Sequence, residues 1–211
     1  MIYSPQHKFL LVKNFKVGGT SLEIDLEKVL PADAIITTQE PSMPDDYLPR
    51  NYKEYGFDSH TPFNIFEYKL PEATKDLTSV VFVRNPFDTV LSHFFMMLKF
   101  YNANIEEYKD YVYGYFNGTI SMGMLGSTKD IYASGGTVQV SNVLRYEDGI
   151  ENQINPILTQ VGIPNITVTA KEKAWRPAHL TPEDVFNKAQ LNIIKKEWAW
   201  EIKNFYPELG Q

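Results

Sequence analysis

Apolar runs alternate along the chain with amphipathic stretches in a strand-then-helix rhythm. A buried strand is predicted from Lys8 to Asn14, followed by a glycine-containing turn. A helix from Thr20 to Leu30 comes next, with Leu22, Leu26, Val29 and Leu30 on one face. A short strand is predicted from Ala34 to Thr38, and the proline-rich stretch from Pro41 to Asn51 reads as a long surface loop. After a helix beginning behind Thr61-Pro62, the run from Ser79 to Arg84 is apolar on both faces, as strands inside a parallel sheet are. Asn85 as N-cap and Pro86 as first helical residue announce a helix to Tyr101, with a second from Ile105 to Phe116. The stretch from Gly118 to Gly136 is predicted as loop, then come a strand from Val138 to Leu144 and a helix from Asp148 to Val161. One long helix from Thr181-Pro182 to Phe205 closes the chain. Strands alternating with helices predict an α/β sandwich whose central sheet is mainly parallel and flanked by helices.

Composition narrows the picture. The 211 residues, 43% hydrophobic and 14% aromatic, are enough for a single domain over 1–211 with its own core. Cysteine is absent, which excludes disulfides, thiolate metal sites and a cysteine nucleophile. A net charge of -6 with no basic stripe argues against nucleic acid as a partner. The apolar run Phe9 to Val12 is broken by Lys13, too short for a signal segment or a membrane span. The expectation is a soluble, cytoplasmic protein without stable membrane association. The four histidines have no metal-ligand spacing, so no metal is expected.

The turn Phe15-Lys16-Val17-Gly18-Gly19-Thr20-Ser21 lies where a strand hands over to a helix. Backbone N–H groups and a helix N-terminus converge at such a place and attract an anion. Glycines allow close approach, Thr20 and Ser21 add hydroxyls, and Lys16 adds positive charge. The turn is not a Walker A loop, because Lys16 precedes both glycines. It resembles instead the 5'-phosphosulfate loop of the sulfotransferases that use 3'-phosphoadenosine 5'-phosphosulfate (PAPS), whose usual form is close to PKTGTTSL. A second segment, Val83-Arg84-Asn85-Pro86-Phe87 with Ser92 eight residues past the arginine, resembles that family's 3'-phosphate signature. Looser likenesses are Leu144-Arg145-Tyr146-Glu147-Asp148 and Trp175-Arg176-Pro177-Ala178-His179, the latter where the family has a basic loop covering the cofactor. Phe15 stands where a proline is usual, Gly19 where a threonine is, and Thr89 where many relatives carry arginine.

The resemblance implies a P-loop-like three-layer sandwich that takes PAPS as sulfuryl donor. It implies binding through Lys16, Val17, Gly18, Gly19, Thr20, Ser21, Arg84, Ser92 and Arg176, and an acceptor hydroxyl on a saccharide or other small molecule. In-line transfer needs a cation at the leaving group, for which Lys16 is the candidate, and a base for the hydroxyl proton. His60 is the first choice for that base, because imidazole titrates near neutrality and the residue lies in a turn before a helix. The glycan-modifying branch of the family carries a catalytic histidine in a comparable stretch. Glu40 and Glu54 are the alternatives. His93 is expected on a helix surface, His179 in the covering loop and His7 in solvent. Phe94, Phe95, Phe100, Tyr101, Tyr108, Tyr111, Tyr115 and Phe116 recur at helical spacing and are expected mostly in the core, as are Trp198 and Trp200. Two other readings remain open at this level: an ATP-dependent small-molecule kinase, and a nucleotide-binding module without catalysis.

Overall fold

In a computed structural model, residues 1–38, 47–119, 126–169 and 175–210 are described. The chain divides into two compact units, Met1–Val83 with Lys129–Glu172 and Arg84–Thr128 with Lys173–Gln211. The first is built on a sheet. A hairpin of β1 (Ile2–Ser4) and β2 (Phe9–Val12) begins it, with Tyr3 opposite Leu10. β3 (Ile35–Ile36) pairs with β1, β4 (Thr78–Val83) lies alongside β2, and β7 (Asn142–Arg145) alongside β4. The order is β3-β1-β2-β4-β7. Both pairings of β1 are antiparallel and the other two are parallel, so β1 alone runs against the rest. The architecture is α/β with a mixed sheet whose centre is parallel.

Strand alternation sends two sets of side chains to opposite faces. Ile2, Phe9, Leu11, Val80 and Phe82 form one buried cluster with Leu22 and Leu26 of α1 (Gly19–Glu27) and Ile154 and Leu158 of α5 (Ile150–Gln160). Tyr3 faces the other way, its ring 5.0 Å from that of Phe66 in α2 (Phe63–Lys69). Helix α1 shows no apolar stripe alone, because all nine of its residues are buried. Its acidic residues are each compensated: Glu23 by Lys13, Asp25 by Lys28 and the Thr169 N–H, and Glu27 by Arg50.

The second unit is helical, with α3 (Pro86–Phe100), α4 (Lys109–Phe116), α6 (Pro182–Val185), α7 (Lys188–Glu197) and α8 (Ala199–Phe205). Asn85 caps α3 as expected, its side chain accepting from the Phe87 N–H. Phe94, Phe95, Tyr115, Phe186, Ile194 and Trp198 pack in its core. Phe100 and Tyr101, expected there, are about half exposed at 48% and 53%.

Several elements differ from expectation. Strand β1 was not foreseen, since three residues before Pro5 carry no pattern until β2 and β3 flank them. His7 lies in the β1–β2 turn, not free in solvent, with Nδ1 3.0 Å from the Val161 carbonyl. The stretch predicted as loop contains β5 (Ala133–Ser134), which pairs with β6 (Thr137–Val138) just past its end in a small hairpin that takes Val138 out of the last sheet strand. The long C-terminal helix is three. Thr181 with Asp184 and Asn187 with Gln190 form two capping boxes, and each starts a helix afresh. His93 is not on a surface but 1% exposed, with Nδ1 2.8 Å from the Tyr115 hydroxyl. Positions 41–46 of the proline-rich stretch lie outside the described residues, as does Glu40.

Candidate functional site

Past Val12 the chain leaves the C-terminal end of the central strand β2 and turns into α1. Asn14 anchors the departure twice. Its Nδ2 donates to the Phe82 carbonyl of β4 (3.2 Å), and its Oδ1 accepts from the Phe15 N–H (2.8 Å). Two residues of the turn have left-handed backbone, Lys16 at φ 58° and Gly18 at φ 70°. A lysine in that region is uncommon and held there by its surroundings. Gly18 is confined further, because a Cβ would come within 3.1 Å of the Tyr146 ring and 3.2 Å of Ile150. At Gly19 a Cβ would meet the Lys13 side chain at 3.0 Å. Gly18 is thus favoured both by its backbone and by its packing, whereas at Gly19 the Lys13 side chain would have to give by a few tenths of an ångström. No side chain caps α1 at Gly18, and its first turn has no acidic residue. The positive helix end therefore has no acidic side chain of its own first turn beside it.

His60 sits against this turn. Its Nδ1 is 3.0 Å from the Lys13 carbonyl, and its ring stacks on Phe15 with centroids 3.9 Å apart and planes 17° from parallel. A carbonyl only accepts, so Nδ1 carries the proton and Nε2 is the lone-pair nitrogen. The loop before α2 is fixed by the Asp58 N–H donating to Thr61 Oγ1 (2.8 Å) and the His60 N–H donating to Asp58 Oδ1 (2.9 Å). Burial, followed by the positive charge of Lys13, lowers the imidazole pKa from 6.5 to about 4, although the bond to the Lys13 carbonyl works the other way.

Beneath the turn is a buried charge cluster. Lys13 Nζ donates to Glu23 Oε2 (2.7 Å) and Thr20 Oγ1 (3.2 Å). Glu23 also accepts from the Met1 ammonium, which donates in addition to Thr37 Oγ1 and the Ser59 carbonyl, each at 2.8 Å. The Glu23 carboxyl is fully buried, and its two cations outweigh the burial and hold its pKa below the usual range. The ammonium is pushed down to about 6, chiefly by burial. One carboxylate thus ties the first residue, the end of β2 and the start of α1 together.

Lys16, Val17 and Gly18 of the turn and Gly19, Thr20 and Ser21 at the start of α1 fall in the first unit, with Val17 to the inside at 3% exposure. Arg84, Ser92 and Arg176 belong to the second. Arg84 is the residue after β4, partly buried, and Ser92 is partly buried in α3. Arg176 is engaged within its own unit: Nε and Nη2 donate to the Leu180 carbonyl at 3.2 and 2.9 Å, and Nη1 pairs with Asp88. His179 is exposed. Glu54 stands exposed on a 3-10 turn and lines a separate cavity with Tyr3 and Pro5, away from the turn after β2.

Reasoning from sequence missed Lys13, Glu23 and the Phe15 ring as parts of the site. The only signal was a lysine abruptly ending an apolar run. No family model matches the chain, and no curated protein matches it.

Proposed function

We propose that the protein is a sulfotransferase of P-loop-like, three-layer architecture that moves a sulfuryl group from PAPS to an acceptor hydroxyl. A saccharide or another small hydroxyl compound is the acceptor class. The observation that carries this reading is the seating of His60 on the Lys13 carbonyl and the Phe15 ring, next to a glycine-containing helix start without a side-chain cap that suits an anion. What supports a phosphosulfate here is a helix start after two glycines with no side-chain cap and no acidic residue in its first turn, with Lys16 in the same turn. When bound, PAPS supplies an activated sulfuryl group with a phosphate leaving group.

The chain's part is then acid–base and electrostatic. His60 Nε2 takes the acceptor's hydroxyl proton as the acceptor oxygen bonds to sulfur, and the bond from sulfur to the 5'-phosphate oxygen breaks. Lys16 and the α1 N–H groups meet the charge left on that phosphate. On resemblance alone, Arg84 and Ser92 are the candidates for the 3'-phosphate and Arg176 for a covering residue. The test is calorimetric titration with 3'-phosphoadenosine 5'-phosphate and with AMP, followed by transfer assays on His60→Ala. Much tighter binding of the bisphosphate, and a loss of transfer of about 100-fold or more with binding spared, are expected. Equal affinities refute the cofactor, and unchanged turnover refutes the base. Magnesium-dependent ATP turnover would instead establish a kinase.

A further inference from the structure

Lys13 is 5% exposed, and a lysine so deep in a fold needs partners for its charge. Its side chain lies along the start of α1. A Cβ at position 19 would meet its Cγ at 3.0 Å, its Cε at 3.3 Å and its Cδ at 3.6 Å, so the stem uses space that Gly19 leaves open. The pattern that the turn resembles has a threonine there, which would crowd the stem. At its tip, Nζ donates to Thr20 Oγ1 (3.2 Å) and Glu23 Oε2 (2.7 Å), both on the same helix. Two hydrogen bonds and the packing on Gly19 thus fasten this side chain to α1.

The backbone of the same residue faces the base. Its carbonyl is 3.0 Å from His60 Nδ1, and a ring nitrogen that bonds a carbonyl must carry the proton. A neutral histidine protonated at Nδ1 presents Nε2 as its proton acceptor. The bond therefore decides which ring nitrogen can work, and it depends on where the Lys13 carbonyl points. Asn14, tied to the Phe82 carbonyl and the Phe15 N–H, fixes the residue after that carbonyl. The fastened Lys13 side chain holds it from the side of α1.

We propose that Lys13 is a positioning residue: with its side chain fastened to Gly19, Thr20 and Glu23 of α1, its carbonyl holds His60 in the form protonated at Nδ1. One residue, itself in contact with neither donor nor acceptor, then aligns the base with the helix start that suits an anion. The consequence for transfer rests on the sulfotransferase reading; the tautomer of His60 does not.

The tautomer is read from the ring nitrogen NMR shifts of the ligand-free full chain, labelled with nitrogen-15 histidine and kept at pH 8, with His60→Asn identifying the signals. Lys13→Met with Glu23→Gln keeps an unbranched stem and removes the ammonium together with the carboxylate it would strand. The Met1 amino group, which Glu23 also meets, is pushed down to about 6 chiefly by burial and is mostly neutral at that pH. The form protonated at Nδ1 should make up about nine-tenths or more of His60 in the unaltered chain and fall to about half in the double variant. Gly19→Ala leaves both charges in place and crowds the stem, so it should move the signals the same way by less, and it decides the matter if the double variant does not fold. A His60 that stays protonated at Nδ1 in every variant shown by urea unfolding to be folded overturns the proposal, as does one protonated at Nε2 in the unaltered chain. With PAPS as donor, kcat should fall about tenfold in the double variant. Absence of transfer from every chain would refute the sulfotransferase reading and leave the tautomer to decide the role of Lys13.

Discussion

The setting of His60 predicts a measurable dependence of stability on pH. Its pKa falls from 6.5 to about 4 on folding, chiefly through burial, so the folded protein resists a proton that the unfolded chain accepts. The stability this neutral histidine preserves is fully present above pH 6.5 and is lost as pH falls toward 4. With 1.36 kcal/mol for each unit of pKa difference, the loss is about 2 kcal/mol at pH 5 and about 3 kcal/mol at pH 4. Other groups titrate in the same range, so the comparison is with His60→Asn. Asparagine places an amide donor near the position of Nδ1, able to reach the Lys13 carbonyl, and has no titration of its own. Urea unfolding of both proteins at pH 7 and pH 5 gives the difference directly. At pH 7 the variant should be less stable by about 1 kcal/mol, from the lost stacking on Phe15. At pH 5 that order should reverse. Parallel pH profiles for the two proteins would show that the imidazole is not held neutral by its surroundings.

The packing around the turn makes two further outcomes specific. Gly18→Ala forces a Cβ against Tyr146 and Ile150 at φ 70°, and should cost about 1 to 2 kcal/mol in denaturant melts while weakening nucleotide binding; an unchanged melt would mean that the turn relaxes freely. Glu23→Gln strips the carboxylate from the buried Lys13 cation and from the Met1 amino group, and should destabilise by about 3 to 5 kcal/mol, read by urea unfolding at pH 7, whereas a loss below about 1 kcal/mol would mean that the cluster is wet.

Much of the scaffold was legible because the signals were local. The double-sided apolar run before Arg84 and the Asn85-Pro86 start reported β4 and α3 through chemistry carried within a few residues. Elements that depend on partners were not. β1 is three residues long and exists through β2 on one side and β3 on the other. Position 181 onward carries helical periodicity throughout, so the breaks at Phe186 and Trp198 were hidden, although Asn187 with Gln190 was a readable start signal. His93 looked polar enough for a surface because its partner, Tyr115, is 22 residues away on another helix.

The candidate site shows the same division, with a consequence for its chemistry. The motif supplies Lys16 and the glycines, but the state of His60 is set by Lys13, which lies outside it, and by Phe15, which departs from it. Phe15 departs from the proline usual in the pattern it resembles, and in this chain its ring is the surface on which His60 lies. Lys13 holds His60 through its carbonyl and opposes protonation through its charge, while Glu23 neutralises much of that charge from the far side. A base with a pKa of about 4 is always deprotonated at neutral pH but draws protons weakly. Negative charge arriving at the turn would raise that pKa, by the same Coulomb attraction that Lys13 opposes. If the proposed reading is right, an anion held at the α1 end would raise the pKa of His60 and so make it a stronger base for an acceptor hydroxyl, tying proton removal to occupancy of the turn.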